Sequence, residues 1–432
     1  MRWPTVVLLS LLFGCGSKSE SSTAGAKPIA GVDEQVEAPP TSAPPSPTVE
    51  ARAEALAKSI IILDGHIDVP WRLEKSSKDG VSTEDVGAAT DSGDFDLPRA
   101  RAGGLDAPFM SIYVSPDFEM NGADAVAERL IASVEGIVAK HPDDFALAPS
   151  VQSVRNNFKA GRISLPMGME NGAPLMGKLE NVARFHERGI RYITLAHSKD
   201  NHISDSSYDD RHTHGGLSAF GKTVVAEMNR VGIMVDVSHI SDEAFWDVIE
   251  LSKVPVIASH SSCRHFTPGF ERNMSDEMIR ALAKAGGVIQ INFGSGFLDG
   301  EVREARKAYD VALDAYLKVK GLDPDSDEGE AAAKAYAAEN PAPRSTVAKV
   351  ADHVEHVIGL VGVEHVGLGS DFDGVGDSLP EGLRSVADYP NLFAELLRRG
   401  RTEAELEKIA SGNVLRVWRA AEAFAAEHPA GG

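Results

Sequence analysis

Eight short apolar runs recur along this chain, and six of them end in His, Asp or Glu. The clearest is Ile60–Asp68, where four apolar residues deliver His66 and Asp68. The others are Met110–Ser115, Ser164–Glu170, Tyr192–His197, Ile233–His239, Val254–His260, Val288–Phe293 and His365–Asp371. Most gaps between them are long enough for a helix. Alternation of strand and helix implies a parallel sheet, and eight such units predict closure into a (β/α)8 TIM-type barrel. A parallel barrel gathers the ends of all its strands on one face, so polar residues scattered along the sequence converge there.

Helix signals agree with this. Glu180–Arg188 reads as a helix stopped by Gly189, and Leu217–Val231 as one stopped by Gly232. Ser241-Asp242-Glu243 and Ser275-Asp276-Glu277 each open a helix by capping logic. Two stretches break the rhythm. Glu74–Gly104 is polar and rich in Gly and Asp, and reads as a long loop. Leu298–Ser345 is charged and Ala-rich, and reads as a helical insertion with a solvated acidic run at Asp323–Glu330.

The N-terminus follows other rules. Arg2, the apolar stretch Val6–Phe13 and a small-residue break form a secretory signal, too short to span a bilayer. Leu12-Phe13-Gly14-Cys15 resembles a bacterial lipobox, which implies lipidation of Cys15. Residues 16–48 are rich in Ser, Ala, Pro and Glu, a composition that cannot bury enough apolar surface to order itself. The predicted organisation is a lipoprotein signal over 1–15, a tether over 16–48 and one catalytic barrel over 49–425, with its insertion at about 298–345. The expected location is the bacterial cell envelope, periplasmic or outer-membrane facing, with the lipid membrane as a partner through Cys15. A formal charge of -21 argues against nucleic acid as a partner. The two cysteines, Cys15 and Cys263, leave no C-x-x-C pair for thiolate zinc. Cys263 is expected to be a free, uncatalytic thiol.

The strand ends carry the chemistry. His66 and Asp68 are two apart, so on a strand they face the same way and can reach one metal ion. Glu170 has two oxygens and can bridge two ions, or else pair with an arginine at the barrel mouth. A lone His at a strand end is usually a core residue. His239 and His260, in consecutive units beside His66, Asp68 and Glu170, reverse those odds. Asp236 and the neighbouring serines could orient their imidazoles. His197 could be a ligand or a donor to substrate. Asp371 could pass the proton of an activated water to a leaving group. His202, His212 and His214 lie in a polar loop, and His353 and His356 on a surface-like helix, so none of these five is expected to bind metal.

With those residues in place, the chain resembles the membrane (renal) dipeptidases, peptidase family M19. The matching segments are Asp64–Trp71, Gly168–Gly172, Arg191–Ser198, Gly216–Gly221, Asp236–His239, Ser259–Ser262, Arg272-Asn273 and Gly367–Gly374. The resemblance implies a barrel of the metal-dependent hydrolase kind with loop and helical insertions, acting on dipeptides. It implies two Zn2+ ions bridged by Glu170 and a water or hydroxide. His66 and Asp68 would hold one ion, His239 and His260 the other. His197 would contact substrate and its tetrahedral intermediate, Arg272 would bind the substrate's terminal carboxylate, and Asp371 would shuttle the proton. A C-terminal D residue is compatible with this reading, and a homodimer is left open.

Some features depart from the family pattern. Lys199 stands where mammalian members carry a Cys, no tyrosine follows Asn292-Phe293, and the 298–345 insertion is long. Two alternatives remain at this point: an amidohydrolase for N-acyl amino acids or lactam rings, and a peptide-binding lipoprotein without catalysis.

Overall fold

Every one of the eight apolar runs overlaps a strand of one closed parallel barrel. The strands are β1 (Ile62–Ile67), β2 (Leu105–Tyr113), β3 (Met167–Glu170), β4 (Ile190–Thr194), β5 (Met234–Asp236), β6 (Ile257–Ser261), β7 (Val288–Ile291) and β8 (Val366–Leu368). Each pairs with its sequence neighbours, and β1 closes the ring on β8 through Asp64 opposite Leu368. The computed structural model describes residue 25 and residues 47–429, apart from 79, 80, 83 and 325. The signal segment, Cys15 and, residue 25 apart, the tether up to residue 46 lie outside the described residues. Among those described, no helix is long and apolar enough to cross a membrane.

Side chains two apart on a strand point to the same face. That periodicity stacks the barrel interior in layers. Leu63, Phe109, Tyr192, Met234, Ile257 and Val288 form an apolar floor. It is plugged by Trp418 of the helix Asn413–Glu427, whose ring lies 5.3 Å from Phe109. Burying a side chain such as Phe109 completely contributes about 1.5–3 kcal/mol. Two residues further along the strands the interior turns polar, with Ser111, Thr194, Asp236, Ser259 and Gln290 all buried. Above them sits the candidate site. A larger apolar cluster fills the space between the strands and the outer helices.

The capping signals hold. Ser218 accepts from Gly221 N at the start of Ala219–Val231, Ser241 from Ala244 N, and Ser275 from Met278 N. Glu180–Glu187 is helical, and the 298–345 insertion contains helices Gly300–Lys320 and Asp327–Glu339. One expectation needs correction. Residues 74–104 are not simply a loop: they include a short antiparallel pair, Ser77–Lys78 with Val81–Ser82, and the helix Leu97–Gly103. Tertiary bonds order this polar stretch. Arg72 Nη1 donates to both oxygens of Asp373, at 2.8 and 2.7 Å, and Asp373 Oδ1 accepts from Asp94 N at 2.6 Å.

Strand boundaries also shift. β4, β5 and β8 end three residues before His197, His239 and Asp371. These site residues sit just past the ladder, where the backbone is free to turn. His239 (φ 69°) and Asp371 (φ 63°) adopt the left-handed conformation, which side chains other than glycine rarely occupy. Such strain persists only where surrounding structure fixes it, and it gathers at functional sites.

Candidate active site

Glu170, at the end of β3, is the hub of the cluster. Its Oε2 lies 3.3 Å from His66 Nε2, which is also 3.3 Å from Asp68 Oδ2. Its Oε1 lies 3.1 Å from His239 Nε2, 3.3 Å from His260 Nε2 and 3.6 Å from His197 Nε2. The carboxylate thus serves two groups, one on each oxygen. His239 Nε2 and His260 Nε2 stand 2.8 Å apart. Asp371 offers an oxygen within 4.8 Å of the donor atoms of His66 and Asp68. The fold therefore gathers His66, Asp68, Glu170, His197, His239, His260 and Asp371 at one mouth.

Buried partners aim the imidazoles. Tyr192 Oη lies 2.8 Å from His66 Nδ1, leaving Nε2 buried without a hydrogen bond. Ser259 Oγ lies 2.7 Å from His260 Nδ1 and donates to Asp236 Oδ2 at 2.6 Å. Asp236 is itself held by Thr194 Oγ1 and by the N–H groups of Ser238 and Ser259. Such partners fix which ring nitrogen faces a metal. Asp64, below His66, accepts from Tyr389 Oη at 2.6 Å and from His66 N and Ser370 N. Sequence reasoning anticipated the Asp236 and serine contacts. It missed Tyr192 and Tyr389. The two-residue step from Tyr192 to Thr194 was the available signal for Tyr192, since it puts the phenol inside the barrel.

The electrostatics suit a cation. Burial, with the nearby Arg272, holds the His239 imidazole well below its ordinary pKa; burial and His66 do the same for His260. Both are therefore neutral, the form that ligates metal. Burial also lowers His197. Burial opposes charge on Glu170, but His66, His197 and the bonds from His239 and His260 outweigh it and hold the carboxyl well below its usual range. Burial opposes charge on His66 too, yet Tyr192, Glu170 and Asp68 together raise it well above its usual value. Asp371 is pushed up to about 7 by burial, with Asp68 and Glu170 adding and His66 opposing; Asn292 Nδ2 donates to its Oδ2 at 2.8 Å. The raised His66 holds positive charge between Asp68 and Glu170, and the neutral His239 and His260 face the anionic Glu170, a donor set that fits divalent metal once His66 gives up its proton.

A cavity of about 470 Å³ opens over this cluster, walled by Trp71, Tyr113, Phe297 and Val375, with Lys75 and Tyr208 among its polar lining. Arg272, nearly fully buried, stands behind the wall residue Phe297, its guanidinium carbon 5.4 Å from that ring. Its Nη1 donates to Ser261 Oγ and its Nη2 to His260 O, each at 2.7 Å, while Nε has no partner. Gly374 makes room above the carboxylates: a Cβ there would come within 2.2 Å of both Asp371 Oδ1 and Asp68 Oδ2.

A family model described as membrane dipeptidase, peptidase family M19, matches residues 50–431. The chain belongs to the membrane dipeptidase family. It is therefore an enzyme, a metallopeptidase of the dipeptidase type, and family membership implies metal dependence. It is 30% identical over 391 residues to a protein named an uncharacterized dipeptidase of Schizosaccharomyces pombe, covering 87% of this chain and 84% of that one. Among solved structures it resembles the probable dipeptidase PvdM of Pseudomonas aeruginosa, with a TM-score of 0.73 and 26% identity, covering 87% of this chain and 99% of that one. It also resembles a metallopeptidase of Rhodobacter sphaeroides liganded with a phosphinate mimic of the dipeptide L-Ala-D-Ala. There the TM-score is 0.66 and the identity 25%, with 84% of this chain and 99% of that one covered.

Residues placed elsewhere also find roles in this M19 chain. His202 Nδ1 pairs with Glu119, and His214 Nε2 with Asn201 O at 2.8 Å. His353 is fully buried, not on a surface-like face as expected. It accepts from Cys263 N at 3.0 Å, with Nε2 2.9 Å from Leu298 O, because the helix Val347–Val361 packs it under the loop after β6. Cys263 is buried, its thiol pushed up by that burial, and it belongs to none of the ligand-type groups among the described residues.

Proposed function

We propose that this M19 enzyme hydrolyses dipeptides with two Zn2+ ions, one held by His66 and Asp68, the other by His239 and His260, and both by Glu170. The carrying observation is that the two Glu170 oxygens face different groups of ligands, Oε2 toward His66 and Oε1 toward His239 and His260. When bound, such a metal pair supplies Lewis acidity and acidifies the attacking water. The other steps belong to the chain's own residues. Asp371 accepts a proton at its carboxylate and delivers it to the leaving amine. His197, on the cavity wall, donates toward the oxygen that gains charge. Arg272 pairs with the substrate's terminal carboxylate, a match for its planar fork. The phosphinate mimic of L-Ala-D-Ala bound by the Rhodobacter sphaeroides relative supports a dipeptide, with a D residue tolerated at its C-terminal position.

Metal analysis of Glu170→Gln tests the centre. The wild type is expected to hold about two ions per chain and the variant to lose most of both. A fully active variant with unchanged metal content would sink the assignment. Acetylating the substrate's amine is expected to abolish turnover; equal rates on N-acyl substrates would favour an amidohydrolase instead. Export and a lipid anchor at Cys15 are part of the same reading, supported by the lipobox-like Leu12–Cys15. Cys15→Ser is expected to leave the membrane fraction or stay uncleaved, and wild-type partitioning and migration would refute the anchor.

A further inference from the structure

A second group of ligand-type side chains lies outside the barrel. His265 sits in the short turn Arg264–Phe266 that follows β6. Asp276 is the first residue of the helix Asp276–Lys284. His356 projects from Val347–Val361. The chain separates these three residues, and the fold brings one donor atom from each within 4.8 Å of the others. His356 Nε2 already stands 2.8 Å from Asp276 Oδ1. The His265 ring stacks on His356, with centroids 4.3 Å apart and planes at 23°. Phe266 backs both rings edge-on, at 4.8 and 5.5 Å, and gives the site an apolar wall.

We infer that His265, Asp276 and His356 form a further metal site, selective for a first-row transition ion such as Zn2+. Two imidazoles and one carboxylate are borderline donors, which suit zinc, nickel or copper, whereas calcium and magnesium demand oxygen. Zinc takes such donors at about 2.0–2.2 Å, so donor atoms must close to roughly 3–3.5 Å of each other. The Asp276–His356 pair, now hydrogen-bonded at 2.8 Å, has to open by only a few tenths of an ångström, about 0.2–0.7 Å, to reach that separation. The exposed His265 ring supplies the remaining movement by turning about its side-chain torsions. Three protein donors leave a position for water. As a proposed ligand His356 departs from the expectation that it binds no metal, on the ground that the sequence does not show His265 packed against it.

The position gives the ion a mechanical role. His265 lies between His260 and Arg272, both at the active site. Arg264, beside it, already bonds Asn273 O and Asp242. An ion on His265 ties this segment to two helices on the barrel's outside. The site binds metal independently of the barrel cluster, and its test does not depend on how many ions the barrel holds.

Metal-replete full-length enzyme is titrated with Zn2+, with bound ions counted by equilibrium dialysis and thermal unfolding followed in parallel. Wild type is expected to bind one more ion per chain than His265→Ala, and to show a Zn2+-dependent rise in Tm that the variant lacks. Asp276→Asn keeps the Ser275 cap and is expected to lose the same ion. Dipeptidase activity before Zn2+ addition is expected to match wild type in His265→Ala, whose side chain is exposed and outside the cavity. The site is overturned if either variant binds as many ions as wild type, or if the Tm response to Zn2+ is the same in all three.

Discussion

Tyr192 Oη stands 2.8 Å from His66 Nδ1, on the opposite side of the imidazole from the carboxylates of Asp68 and Glu170. Both residues are completely buried. The phenol fixes the ring so that Nε2 faces the candidate metal position. Gly168 is what admits it: a Cβ at that position would lie 1.9 Å from Tyr192 Cζ. Tyr192→Phe keeps the shape and removes only this contact. Metal affinity is expected to fall by about 10–100-fold, the usual effect of losing a partner behind a ligating His. Competition with a chelator measures it. Unchanged affinity would show that His66 is oriented by its backbone alone.

Asp371 separates catalysis from metal binding. Asp371→Asn is expected to lower kcat by about 10²-fold or more with a smaller effect on KM and with metal content retained. Its carboxyl is pushed up to about 7 in the metal-free chain, first by burial. The carboxylate is the form that accepts a proton, so wild-type rate falls as pH drops through the group's pKa. Bound cations move that limb to lower pH. The residual activity of Asp371→Asn is expected to lack the limb. Loss of a metal ion in this variant would instead make Asp371 a ligand, with His197 the next candidate for the proton.

Gly374→Ala tests the crowding above the site. The added Cβ lands 2.2 Å from oxygens of both Asp371 and Asp68, so at least one carboxylate must move. Activity is expected to drop by about 10²-fold, as misplacement of about 1 Å does, while the fold persists. Steady-state kinetics alongside circular dichroism read the two separately. Near-normal kinetics would mean that the carboxylates do not need their observed positions.

Asp106 offers a stability test away from the site. Burial pushes its carboxyl from 3.8 to about 7, while the N–H of Ile62, Arg101 and Lys58 oppose. The folded state therefore holds this proton more tightly than the unfolded chain. Stability from this group is fully present below about pH 4 and is lost as pH rises to about 7. Asp106→Asn removes the titration and can still accept from Ile62 N. Its advantage over wild type is expected to grow between pH 4 and 7, with a ceiling of about 4 kcal/mol. Denaturant unfolding at several pH values checks this, and a difference independent of pH would contradict it.

The sequence by itself determined the barrel and the residues at its mouth. Strand runs, helix caps and the step from His66 to Asp68 are local patterns, set by residues a few positions apart whose spacing dictates which face they share. That is why His66, Asp68, Glu170, His197, His239, His260 and Asp371 were legible before any coordinate. Only the tertiary structure decided which oxygen of Glu170 meets which histidines. It also decided that Tyr192, 126 residues away, holds His66, and that Asn292, 79 residues away, holds Asp371. It ordered the polar 74–104 stretch through Arg72 and Asp373, buried His353, and set His265 against His356 and Asp276. These contacts depend on barrel closure and helix docking. Local spacing carries no record of them, because two residues far apart in the chain meet only after the strands between them have taken their register.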